Sequence, residues 1–332
     1  MRPRTKLLAG MGLILTLVGA PGCSKEPAAS PTKTGDTVDL RLTFEPGRKW
    51  YMEETSNSNT IWTVKGREEK TTLTNIKGKI IEIETVNADG TAWLNITHDR
   101  FAVDGEDYDE NTGQKVRLKY DSATDQGKPV QNRIKALASI MGLSFRALMT
   151  DKGRVKEIQG LDQFFEGMMK NLGLPPEFFK EEYLPQMKQM YGEPFFTQSI
   201  EDILAHYPEN PMEVGDTWEN GNENLPNTLA IEKHNYTLKS KDDDIAVIEV
   251  TTEIRTQPQS MMDIMIQKAK TEIKGTRQST IEIDNQTGWI KTSVTKSKVH
   301  RMTTFGESTD NPESTTTSEE EITNTVKIHE IK

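Results

Sequence analysis

The chain has 332 residues, with 41 Lys+Arg, 51 Asp+Glu, five His, one Cys and a formal net charge of −10. That length can bury a real core as one large domain or two ordinary ones, and a mean hydropathy of −0.66 excludes a bundle of membrane-spanning helices. A single cysteine excludes a disulfide framework and a cysteine zinc site, and the acidic balance argues against nucleic acid as a partner, because phosphates require a basic surface.

Arg2, Arg4 and Lys6 precede an apolar run of 14 residues, Leu7 to Ala20. At 1.5 Å per residue this run is too short for a hydrocarbon core of roughly 30 Å, which takes about 20 residues. It has the length of a secretory signal segment. Ala20-Pro21-Gly22-Cys23-Ser24 follows and resembles the lipobox of bacterial lipoproteins, with Ala20 where Leu is usual and Pro21 an unusual neighbour. Ordinary cleavage after Val18-Gly19-Ala20 is the competing reading, and it sets Pro21 directly behind the scissile bond, where signal peptidases disfavour it. The lipobox resemblance implies that residues 1–22 are a signal peptide and that Cys23, the chain's sole thiol, carries an acyl chain such as palmitate. The body would then sit outside the cytoplasm in a bacterial cell envelope, with the membrane as its partner. Losing three basic residues and no acid takes the mature charge to −13, which anionic lipid repels, so the attachment expected is covalent rather than electrostatic. Ser24 to Thr37, rich in Pro, Ala, Ser and Thr, reads as a flexible tether with a reach of about 20 Å.

From Val38 to the end the expectation is a single β-rich domain. Lys79–Val86 alternates Ile81 and Ile83 with Glu82 and Glu84, Asn87-Ala88-Asp89-Gly90 supplies a turn, and Thr91–Thr97 puts Ala92, Leu94 and Ile96 on one face. Ser144–Thr150 with Arg154–Ile158, and Thr280–Asp284 with Trp289–Ser297, read as further hairpins around Gly153 and Gly288. Near the C-terminus Ile322, Val326 and Ile328 share a face, after a polar loop from Gly306 to Ser314. One apolar and one polar face per strand is the pattern of an antiparallel sheet. The expected fold class is therefore mainly β (α+β), a curved antiparallel sheet or open barrel with a short-helix insert.

That insert spans residues 160–207. Leu161, Phe164, Phe165, Met168, Met169 and Leu172 recur at helical spacing, and Gly173 before Leu174-Pro175-Pro176 predicts a left-handed cap. A second helix over Phe178–Tyr191 restarts at Pro185, and a third carries Ile200, Ile203, Leu204 and Tyr207 behind Thr197 or Ser199 as N-cap. Asn132–Met141 predicts a further helix, and Met261–Lys268 is ambiguous. Three echoes suggest a pseudo-repeat of residues 40–159 and 212–330. Gly47-Arg48-Lys49-Trp50 echoes Gly215-Asp216-Thr217-Trp218, Asp89–Thr97 echoes Asp243–Thr251, and Asp151-x-Gly153-x-Val155-Lys156 echoes Asp284 with Gly288-x-Ile290-Lys291. Duplication and chance similarity among hairpins both account for them.

Phe44-Glu45-Pro46-Gly47, Tyr120-Asp121-Ser122, Met141-Gly142-Leu143-Ser144-Phe145, Gly153-Arg154-Val155 and Val214-Gly215-Asp216-Thr217-Trp218 occur in that order. Together they resemble an uncharacterised family of bacterial lipoproteins, known as a domain of unknown function, over nearly all of residues 40–300. The resemblance implies the architecture and carries over no catalytic residue.

Chemistry is sparse. His98, His206, His234, His300 and His329 are scattered, and no zincin, nucleophile-elbow or phosphate-loop motif is present. The expectation is no catalytic residue, no metal, no cofactor and no enzyme activity, with a hydrolase built from distant residues as the least favoured class. Asp104–Asn111 fails as a calcium loop, because Thr112 and Leu118 stand where Gly and Glu are required. Trp93 shares a face with Asn95 and Thr97, suited to sugar rings or to packing. Residues 141–212 concentrate seven of 14 Met and seven of ten Phe. Met-rich surfaces adapt to irregular apolar ligands, while short helices also need such residues simply to pack. Phe164, Phe165, Met168 and Met169 are the candidate ligand-binding residues. The leading expectation is a non-enzymatic module that binds an apolar or amphipathic ligand, and the alternative is a structural protein contacting other envelope proteins.

Overall fold

Period-two alternation resolves into twelve strands hydrogen-bonded in one antiparallel sheet. The computed structural model describes residues 37–64, 66–109, 114–125, 130–175, 184–204, 207–222, 230–257, 269–305 and 314–331. The expected signal segment, Cys23, the tether up to residue 36, residues 261–268 and the loop 306–313 lie outside the described residues. The strands are β1 (Lys49–Val64), β2 (Arg67–Val86), β3 (Ala92–Asp109), β4 (Gln114–Asp121), β5 (Ser144–Met149), β6 (Val155–Gln159), β7 (Thr217–Asn222), β8 (Ala230–Lys241), β9 (Ile245–Thr256), β10 (Ala269–Asp284), β11 (Ile290–Phe305) and β12 (Ser314–Ile331). The helices are α1 (Asn132–Ser139), α2 (Leu161–Asn171), α3 (Leu184–Tyr191) and α4 (Glu193–Leu204).

Along the sheet the order is β6-β5-β3-β2-β1-β12-β11-β10-β9-β8-β7, and β3 forks, pairing β5 near its start and β4 near its end. β12 lies between β1 and β11, so the first and last long strands are neighbours. The sheet is not closed and ends at β6 and β7. Read along the chain, β1-β2-β3-β5-β6 and β7-β8-β9-β10-β11 are two five-stranded meanders laid side by side with β12 between them. The three sequence echoes fall at matching points of the two: the starts of β1 and β7, the turns into β3 and β9, and the turns before β6 and β11.

The expected faces are those that are buried. Ile81 and Ile83 on β2, and Ala92, Leu94 and Ile96 on β3, are at most 2% exposed. They join Trp50, Met52, Ile248, Ile283 and Ile328 and the apolar sides of α2 and α4 in one core at the end of the sheet where β1 begins. Here the sheet curls enough that α4 lies between edge strand β6 and β8, the neighbour of the other edge. The Glu201 carboxylate accepts from the Val155 N–H of β6, while Asp202 and Arg154 lie close enough to act electrostatically on Tyr236 of β8. Residues 38–44 strap the two meanders together: Leu42 N–H donates to Asp151 C=O in the β5–β6 turn, and Thr43 N–H donates to Thr287 C=O in the β10–β11 turn. The strap backbone passes so close over Gly288 that a Cβ there would collide with the Arg41 carbonyl, and Gly288 has φ 70°.

Helix ends follow local chemistry. Gly173 (φ 75°) terminates α2 with Leu174 N–H donating to Met169 C=O and Gly173 N–H to Lys170 C=O, a Schellman cap that bears out the expectation. The third insert helix corrects one. Neither Thr197 nor Ser199 is its N-cap, because α4 begins at Glu193 and the Ser199 hydroxyl bonds back to Phe196 C=O inside the helix. Glu193 complements the positive helix end, and Pro194 needs no N–H partner in a first turn. Tyr207 lies beyond α4, buried, with its hydroxyl donating to Gly288 C=O.

Candidate functional site

The four candidate residues of the insert are brought together by α2, whose period puts them on one side. Phe164, Phe165, Met168 and Met169 are 4%, 2%, 5% and 5% exposed. Phe164 meets Phe145 of β5 and Phe196 of α4 edge-on, with ring centroids 6.0 and 5.3 Å apart, and Phe145 meets Phe196 at 4.8 Å. Edge-to-face pairs add about 0.5–1.5 kcal/mol each beyond area burial, so this cluster is an interdigitated wall of the core. A shallow cleft nearby is lined by Ile158, Leu161, Asp162, Lys188 and Glu193 and takes in none of the four.

Register defines what else faces the same way. Met52 faces the core, and continuing along β1 by twos gives Glu54, Ser56, Ser58, Thr60 and Trp62. Cross-strand partners on β2 are Lys79, Lys77, Asn75, Leu73, Thr71 and Glu69, and on β12 Ile328, Val326, Asn324, Ile322, Glu320 and Ser318. Beyond the helices this concave face therefore changes from apolar to mixed. Ser56, Ser58, Thr60, Thr71, Thr252, Ser297 and Ser318 are all buried there. One apolar island remains on the wall made by β8 to β12: Ala230, Ile254, Ile273, Val299 and Ile322, one residue from each strand, all at most 7% exposed. Among the described residues no helix or loop side chain belongs to it.

Charged groups on this face are arranged in sets. Glu232 receives two hydrogen bonds from the Arg277 guanidinium, at 2.8 and 3.1 Å, and His234 Nδ1 lies 2.9 Å from the Thr252 hydroxyl. Burial pulls the His234 pKa down, against the pull of Glu232. Glu320 is reached by the Thr60 hydroxyl at 3.4 Å, and burial pushes its carboxyl up to about 7, with Arg301 opposing. Asp107 of β3 also acts on Glu320 of β12 across two intervening strands, which requires a strongly curled sheet. Buried polar atoms without a hydrogen-bond partner among the described residues include, on this face, Ser56 Oγ, its cross-strand neighbour Asn324 Oδ1, and Arg301 Nε. Such orphans call for water or a bound molecule.

Where the apolar core meets this mixed region stand Lys79, Lys77, Glu54 and His98. Lys79 is the direct cross-strand partner of both Met52 and His98, and the His98 ring lies over Phe164 and Phe145 at 5.6 and 6.2 Å. Burial lowers the Lys79 ammonium to about 8 despite Glu54, and lowers His98 to about 3, so the imidazole is neutral. Sequence reasoning passed over these residues. The available signal was parity: Lys77 and Lys79 are in phase with Ile81 and Ile83, the inward set.

The remaining sequence candidates have structural partners or fall outside. Cys23 and His206 lie outside the described residues. Trp93 packs under the Arg146 guanidinium at 4.7 Å. In the acidic loop, Asp107 pairs with Arg133 and Asp104 with Arg117. Among the described residues no cluster of three His, Cys, Asp or Glu has metal-holding geometry.

Residues 89–290 match the model of a family of unknown function, DUF6263. No curated protein matches. Among solved structures the chain is similar to lipovitellin, in a structure of its lipid–protein interactions, at 11% identity and a TM-score of 0.40. That match covers 84% of this chain and 25% of lipovitellin, so the chain spans a quarter of the protein it matches. It is also similar to an outer membrane channel of Pseudomonas putida F1, at 7% identity and a TM-score of 0.18 over 90% of this chain and 100% of the channel. A third similarity is to OccK7 of Pseudomonas aeruginosa, at 6% identity and a TM-score of 0.22 over 86% and 100%.

Proposed function

The chain belongs to the DUF6263 family, whose function is unknown, and from that starting point we propose that it is an envelope lipoprotein, held at a membrane through acylated Cys23, whose β-rich body binds an apolar or amphipathic ligand without catalysis. One observation carries the reading. The concave face holds a buried five-strand apolar island to which no described helix contributes, beside buried polar atoms that lack partners. A face used only as core would be filled like the helical end, where aromatic rings interlock. Apolar surface flanked by a few oriented polar groups suits an amphipathic molecule.

Two measurements test it. Lipids and proteins that co-purify with the native protein are identified by mass spectrometry, and a fluorescent lipid is titrated against wild type and Ile254→Glu. Saturable binding that Ile254→Glu abolishes, with the fold intact by circular dichroism, is the expected result. A wild type blind to lipid that instead retains a stoichiometric protein would overturn the ligand reading. For the anchor, Cys23→Ser should abolish fatty-acid labelling and move the protein to the soluble fraction; unchanged detergent dependence rejects the lipoprotein assignment.

A further inference from the structure

Among the described residues, Lys79 is a charged group of the concave face that neither packing nor pairing explains. A lysine stem readily covers apolar surface, but its ammonium normally reaches water or a carboxylate. Here the register turns it inward, in phase with Ile81 and Ile83, between Met52 on one neighbouring strand and His98 on the other. Among the described residues no carboxylate lies within ion-pair distance of it. Glu54, the nearest acid that acts on it, is 3.7 Å from the Lys77 ammonium. Lys77 and Lys79 against Glu54 leave one uncompensated positive charge on the concave face, with Lys79 half-buried and the Lys77 side chain 43% exposed, in a chain whose net charge is −10. The neutral His98 beside it offers a hydrogen bond without adding charge. Further along the same face, Ser56 Oγ on β1, four residues beyond Met52, and its partner across β12, Asn324 Oδ1, are buried without hydrogen-bond partners.

An uncompensated cation between an interlocked apolar core and a polar concavity is positioned for the acidic end of an amphipathic molecule. Resting on the binding role proposed above, we infer that Lys79, assisted by Lys77 and His98, receives the anionic head group, a carboxylate or phosphate, of the ligand held in the concave face. The ammonium supplies the charge and His98 fixes orientation. Selectivity for the anionic head group would then rest chiefly on Lys79, with the ligand's tail bound independently of it.

The test uses the full chain, with a fluorescent long-chain fatty acid, its methyl ester and inorganic phosphate as probes. The acid should bind wild type at least tenfold more tightly than the ester. Lys79→Met should bring the two to parity while leaving ester affinity unchanged, and Lys79→Arg should retain the preference. A preference that survives Lys79→Met, or a wild type that binds acid and ester equally, overturns the head-group assignment and leaves the binding role standing. A wild type that binds neither overturns both. Phosphate that binds as tightly as the fatty acid would assign the lysine to a free anion and overturn the amphipathic reading. If Lys79→Met fails to fold, wild type decides by pH. Because Lys79 lies near Glu54, Lys77 and His98 and its ammonium titrates from about 8 upward, acid affinity should fall between pH 7 and 10 while ester affinity stays flat. An acid preference constant over that range overturns the proposal.

Discussion

Trp50 and Trp289 stack with ring centroids 4.8 Å apart and planes inclined by 18°, joining the first strand of one meander to the last turn of the other. Trp289 is 1% exposed, and its indole N–H donates to Thr43 C=O at 3.3 Å, so one side chain links β1, the strap and the turn before β11. Trp289→Ala removes a large buried ring and leaves Trp50 without its stacking partner, and should cost about 3–5 kcal/mol. Trp289→Phe keeps most of the area and loses the hydrogen bond to the strap, so it should cost less. Urea melts of the two variants check both.

The strap is predicted to fold with the body and the preceding tether to contribute nothing. Val38, Leu40 and Leu42 are 8%, 3% and 3% exposed, and each buried side chain of this size stabilises by roughly 1.5–3 kcal/mol. A chain begun at Val38 should melt like one begun at Cys23. A chain begun at Phe44 should be several kcal/mol weaker. A loss of more than about 1 kcal/mol in the first comparison would mean that residues 24–37 pack on the body.

Edge strand β6 is guarded by the helix beside it. Glu201 accepts from Val155 N–H at 2.8 Å and Glu193 from Ile158 N–H at 3.3 Å, which occupies donors that another strand would otherwise pair with. Replacing both glutamates by Ala should cost about 1–3 kcal/mol per uncapped donor and promote self-association. Sedimentation velocity and thermal melts together read the two effects.

Glu320 predicts a pH dependence of definite sign. Its carboxyl is pushed by burial from 4.5 to about 7, so folding takes up a proton between those values. The stability it contributes is complete below about 4.5 and is lost as pH rises toward 7, by roughly 3 kcal/mol at most. His98, lowered to about 3, gives the opposite slope, losing stability as pH falls from about 6.5. The difference between wild type and Glu320→Gln isolates the carboxyl: the variant should gain on wild type from pH 4.5 to 7 and hold a constant lead above it. Urea titrations across that range decide the sign.

Local pattern alone established that this chain is β-rich, where its hairpins turn and which faces are apolar. Ile81, Ile83, Leu94 and Ile96 are buried because period-two alternation is a property of the strand itself, and Gly173 caps α2 because a left-handed residue is a local need. Gly288 was legible as a turn, but its second constraint, the Arg41 carbonyl passing over it, was not. Alternation says that one face is covered without saying by what. That β12 lies against β1, that the strap joins two equivalent turns, and that Lys79 on an inward face has no carboxylate opposite it depend on pairing between distant segments. Those pairings are selected by the total burial and hydrogen bonding of the whole sheet, a sum that no window of sequence contains.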